Sequence, residues 1–148
     1  MTQGLIAVGV LVSALIIGGV LRRRRTVDPP TQPTFAAPRQ IDRADFDQLD
    51  APWLVAVFSS ATCTTCADVV AKANVLSCSQ VAVVDVEYSV APALHRKYNV
   101  YAVPIAVIAD RDGVVRASFV GPMSATDLWA AVAEVRDPGS SPEPQLGQ

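Results

Sequence analysis

"SSATCTTCADVV", residues 59–70, follows the unbroken apolar run "WLVAVF" (53–58) and merges into the helical pattern "CADVVAKANVL" (66–76). A short, continuous apolar run just after Pro52 suits a strand buried on both faces. Val69, Val70, Ala73 and Leu76 recur at helical spacing. Cys63 and Cys66 therefore stand where a buried strand gives way to a helix. A second apolar run, "VAVVDV" (81–86), completes a strand–helix–strand order, the right-handed βαβ unit.

That position decides how the two cysteines are read. A helix N-terminus carries partial positive charge and free N–H groups. Both stabilise a thiolate, so Cys63 should ionise below the roughly 8.5 of a free cysteine. Cys66, one turn further on the same side, can displace a mixed disulfide formed at Cys63. Structural zinc is the first competing use, and it needs four ligands. Only Cys78 and His95 remain, and neither shows ligand spacing. The third use is two inert thiols in a helix. A Cys-x-x-Cys pair at a strand-to-helix turn has a specific redox role, which favours the first reading.

The remaining elements fall on both sides of this unit. "DRADFDQL" (42–49) predicts a short helix capped by Asp42, with Asp45 in its first turn and a solvated acidic face. "VAPALHRKY" (90–98) predicts a helix with Pro92 in its first turn. "VPIAVIA" (103–109) and "VVRASFV" (114–120) flank "DRDG", and Asp112-Gly113 between β-rich runs signals a hairpin. "SATDLWAAVAEV" (124–135) closes the order as an amphipathic helix capped by Ser124. The fold class expected is α/β, a central mixed sheet flanked by helices.

The N-terminal part has a different composition. Residues 4–21, "GLIAVGVLVSALIIGGVL", carry no charge, and as a helix they would span about 27 Å, near the roughly 30 Å of a hydrocarbon core. A cleaved signal would place positive charge before the apolar run; here Arg22 to Arg25 follow it. Residues 1–25 are thus read as one transmembrane helix with an arginine cluster. Positive flanks stay in the cytoplasm, so the N-terminus is expected outside and the domain in the cytosol. Residues 26–40 hold four prolines and read as a semi-rigid linker. Residues 41–136 form the domain, and 137–148 read as a disordered tail.

Of 148 residues, 51% are apolar, and the formal net charge is -2. The first 25 residues hold four arginines and no acidic residue; the rest holds 8 basic against 14 acidic residues. An acidic body speaks against nucleic-acid binding, which leans on clustered Lys and Arg. Three cysteines, an odd count, fit chemistry better than a disulfide scaffold.

Over residues 41–136 the chain resembles the thioredoxin family. Cys63-Thr64-Thr65-Cys66 matches the family's Cys-x-x-Cys in the first turn of the helix after the first central strand, and Val103-Pro104 matches the proline ahead of the hairpin. The resemblance implies a thioredoxin-like fold, a cis peptide bond at Pro104, and a substrate strand pairing with the backbone of Val103. It also implies that Gly121, in "VGPMS", lets a partner chain approach the cysteines. Thr62 stands where thioredoxins proper carry tryptophan in the substrate-contacting loop, and Thr64-Thr65 replace Gly-Pro. The family's buried acidic residue falls by spacing at Val57, leaving the resolving thiol without its usual proton acceptor. Hydroxyls of Thr62, Thr64 and Thr65 are available to the thiolate instead.

The expected activity is thiol–disulfide exchange on disulfide-containing protein substrates, in the reducing direction, with Cys63 attacking and Cys66 resolving. No cofactor is implied, but an electron-donating reductase or small thiol must recharge the pair. The alternative is a redox-sensing or binding module that does not turn over. Cys78 is expected to be a small buried hydrophobe, and His95 to be solvated beside Arg96 and Lys97. Trp53 and Trp129 are expected in core or half-buried packing.

Overall fold

A computed structural model describes residues 35–46 and 50–140. The strands are β1 (Trp53–Ser59), β2 (Val81–Glu87), β3 (Ile105–Ala109) and β4 (Val115–Val120). The helices are α1 (Thr64–Asn74), α2 (Pro92–Lys97) and α3 (Ala125–Arg136). One sheet has the order β2-β1-β3-β4. β1 and β2 run parallel, and β3 is antiparallel to both β1 and β4.

The unbroken apolar character of β1 has a direct cause, since both of its faces are covered. Val55 and Val57 pack with Val69 and Ala73 of α1 and with Leu128, Ala131 and Val132 of α3. Leu54, Ala56 and Phe58 point the other way, into a cluster with Tyr98, Val100, Ile105 and Val107. The parallel β1–α1–β2 crossover puts α1 on the sheet with its N-terminus at the end where β1 stops.

The hairpin predicted at Asp112-Gly113 forms. Gly113 has φ +76, and a Cβ there would lie 1.9 Å from the Ile41 carbonyl oxygen. The same glycine's carbonyl accepts from Ile41 N at 2.9 Å, and Val115 N donates to Arg39 O at 3.0 Å. Arg39 and Gln40, expected in the linker, are thus tied to the sheet through the Gln40–Val114 bridge. Residues 26–34 of the linker, the segment 4–21 expected to cross a membrane, and residues 141–148 of the tail lie outside the described residues. Among the described residues no helix is long and apolar enough to cross a membrane.

Four expectations are corrected. The helix over 42–49 is, among the described residues, a single 3-10 turn, Arg43–Asp45. Asp42 caps it through Ala44 N, but Phe46 turns extended to bury its ring against Tyr98. Its face is not simply solvated, because Arg43 is buried and donates to the carbonyls of Asp110 and Ala51. His95 is buried, not solvated: the last turn of α2 points it inward, where Nε2 donates to Val86 O at 2.7 Å and the ring meets Phe58 and Tyr88 edge-on. Cys78 is exposed rather than buried, because it opens the tight turn that closes on Val81 through two backbone bonds. Trp53 is half-buried against the α1-side core as expected, but Trp129 is exposed, its indole lying on the surface and donating to Lys72 O.

Candidate active site

Cys63 is the N-cap of α1, one residue outside the helix proper, and Sγ accepts from the backbone N–H of Cys66 at 3.1 Å. The Thr65 hydroxyl lies 3.3 Å from the same sulfur. One orphan amide of the helix and one hydroxyl thus converge on Cys63, which favours negative charge there. Cys63 and Cys66 are joined in a disulfide with a Cα–Cα distance of 5.3 Å. Their exposures differ: Cys63 is half-buried and Cys66 only 1% exposed. An incoming group can therefore reach Cys63, whereas Cys66 is shielded from direct attack.

The loop into the helix is held from β2. The Glu87 carboxylate accepts from Ala61 N at 2.9 Å, Ser89 N at 3.0 Å and Val90 N at 3.2 Å, and from the Ser89 hydroxyl. The Ser89 bonds, then those from Ala61 and Val90, pull its pKa from an ordinary 4.5 down to about 2. Ser60 O in turn accepts from Cys63 N at 3.0 Å. Thr62 is exposed, and its hydroxyl pairs with that of Ser60 rather than with the sulfur.

Val103, Pro104 and Gly121 gather at the same end of the sheet as the cysteine loop. The Val103–Pro104 bond is cis, and Ile105, next in the chain, pairs with Phe58 near the end of β1. Gly121 N donates to Pro104 O at 2.8 Å; its φ of +92 calls for glycine, and the space where a Cβ would stand is open.

On the α1–β2 side lies a cleft of about 400 Å³, bordered by both cysteines, Ser59, Asp85 and Glu87. Val57, where no carboxylate is available, pairs in register with Asp85 of β2. Ser59, buried, donates its hydroxyl to Asp85 Oδ1 at 2.5 Å. Sequence reading missed Asp85 and Glu87. Their signal was a charge inside and another just beyond the apolar run 81–86, on the face that the β1 register turns toward α1.

No family model matches this sequence, and no curated protein matches it. Solved structures do. A point mutant of the thioredoxin of Halobacterium salinarum is 21% identical with a TM-score of 0.53, over 68% of this chain and 95% of that one. The fold is thioredoxin-like. Fasciola hepatica thioredoxin is 23% identical with a TM-score of 0.51, over 58% of this chain and 83% of its own. A malarial protein, 19% identical, also has a TM-score of 0.51, over 55% of this chain and 94% of that one. At these identities the likeness concerns the fold. The thioredoxin-like frame carries the cysteine pair on the helix that follows its first central strand, with the cis proline at the same end of the sheet.

Proposed function

We propose that this protein is a thiol–disulfide oxidoreductase that reduces protein disulfides through a mixed disulfide at Cys63. The observation that carries the reading is the unequal burial of two bonded sulfurs at a helix N-terminus, the accessible one receiving a backbone N–H. In the reduced pair, the Cys63 thiolate attacks one sulfur of a substrate disulfide and releases the other as a thiolate. Cys66, deprotonated, then attacks Cys63 and releases the second substrate thiolate. Two electrons pass to the substrate, and a thiol reductase or small dithiol restores the pair. Val103, next to the cis proline, and Gly121, whose N–H bonds Pro104 O, are the positions we assign to the substrate strand, with Thr62 exposed in the cysteine loop as a further contact.

The apolar residues 4–21 and Arg22 to Arg25 support a tether that holds the domain on the cytoplasmic face, where a reducing pool favours reductase over oxidase. Exposed Cys78 reports the topology: an impermeant maleimide should label it only after cells are permeabilised, and labelling in intact cells places the domain outside.

Turnover is tested with the full-length protein, insulin as substrate and dithiothreitol as electron source. Cys63→Ser should abolish turnover above the uncatalysed rate, and Cys66→Ser, reduced and then freed of dithiothreitol, should accumulate a mixed disulfide with insulin. A wild-type rate no higher than that of a protein lacking both cysteines overturns the enzyme reading and leaves a redox-switched binding module.

A further inference from the structure

Resting on the oxidoreductase reading, we propose that Asp85, on the strand beside β1, is the proton acceptor for Cys66. In exchange chemistry the resolving thiol must lose its proton before it attacks, and Cys66 is buried, away from bulk water. β1 offers no base. Its residues over 53–59 are apolar apart from Ser59. The parallel register brings Asp85 level with Val57, so a carboxylate reaches the same level of the sheet from the neighbouring strand.

Three observations converge on Asp85. It shares one cleft with Cys63 and Cys66, and that cleft, at about 400 Å³, has room for bridging water. Its Oδ1 accepts the hydroxyl of Ser59, a buried residue at the end of β1 that borders the same cleft. The titratable groups bordering the cleft are Cys63, Cys66, Asp85 and Glu87. Glu87 is committed elsewhere, to three backbone amides and a hydroxyl that hold the 60–61 and 89–90 turns. A charge on an edge strand also discourages pairing with another sheet. Asp85 is exposed, as that role requires, but that role needs neither a serine partner nor a place in the cysteines' cleft.

Cys63 is bound to one substrate sulfur. The Cys66 thiol gives its proton to the Asp85 carboxylate across the cleft, by way of water or the Ser59 hydroxyl. The Cys66 thiolate attacks Cys63 Sγ, the Cys63–Cys66 bond forms, and the Cys63–substrate bond breaks. The leaving substrate thiolate then takes the proton from Asp85. In this step the Cys66 sulfur is oxidised and the substrate sulfur reduced, while Cys63 stays at the disulfide level.

The test uses full-length protein carrying Cys78→Ser, reduced and then mixed with an aromatic disulfide such as dithiobis(nitrobenzoate). The first nitrothiobenzoate released reports attack by Cys63, and the second reports attack by Cys66. Asp85→Asn should leave the first phase within about twofold and slow the second at least about tenfold at pH 7, with the gap closing as hydroxide takes over at high pH. Asp85→Glu should recover most of the rate, and Ser59→Ala should slow the second phase by a smaller factor. Glu87→Gln should leave the second phase less affected than Asp85→Asn does. If Asp85→Asn leaves the second phase unchanged, Asp85 is not the acceptor, although the oxidoreductase reading stands. A slowing that high pH does not reverse and Asp85→Glu does not rescue is structural and also overturns the proposal. If the parent protein shows no second phase, the oxidoreductase reading itself fails.

Discussion

At the scale of single residues, side chains that face each other across strands escape reading along the chain. The motif Cys63-Thr64-Thr65-Cys66 was legible because its chemistry depends on local spacing and on a helix end, both written in consecutive residues. Asp85 was not, because its relation to Val57 exists only in the β1–β2 register. Cys78 was misjudged because burial preference is an average, and a turn keeps even a small apolar side chain outside. Glu87 makes a prediction at this scale. Its pKa in the folded protein, about 2, lies below its ordinary 4.5. Its hold on the cysteine loop is therefore complete above about pH 4.5 and is lost as pH falls through about 2. The Ala61 amide, followed by NMR, should keep its hydrogen-bonded shift from neutral pH down to about 4 and lose it only near 2. Glu87→Gln should shift that amide already at pH 7. A midpoint near 4.5 contradicts the assigned bonds.

Among the elements, the alternation of strand and helix from residue 53 onward was legible because each element matches one periodicity. β3 and, up to Ser59 at its end, β1 are apolar throughout because helices or loops cover both faces, and α1 and α3 show apolar stripes where they meet the sheet. The first element was misread because a caps-and-charges signal over 42–46 competes with burial of Phe46 and Arg43, and burial wins after one turn. The β3–β4 hairpin depends on one glycine. Gly113→Ala forces a positive φ on an alanine and drives its Cβ into Ile41 O, so it should cost at least about 2 kcal/mol in urea unfolding. Gly121→Ala, with a positive φ but open space around it, should cost less. Equal losses at the two sites would show that the contact with Ile41 carries no weight.

For the whole molecule, the topology gathers at one end of the sheet what the chain scatters over some sixty residues: the cysteine loop after β1, Asp85 and Glu87 near the end of β2, the cis Pro104 before β3 and Gly121 after β4. The βαβ order made that convergence foreseeable for the cysteines, and the resemblance to thioredoxins implied it for the proline; neither reached the carboxylates, whose side of the sheet depends on register. The central claim is that position makes Cys63 the reactive thiolate and Cys66 its buried partner. Its most direct test is the pH dependence of iodoacetamide alkylation at each sulfur, read by mass spectrometry on the reduced full-length protein with Cys78→Ser. The account predicts that Cys63 is modified first, with a midpoint below the roughly 8.5 of a free cysteine, and that Cys66 lags behind at every pH. Equal rates at the two sulfurs, or a Cys63 midpoint at or above that value, would contradict it.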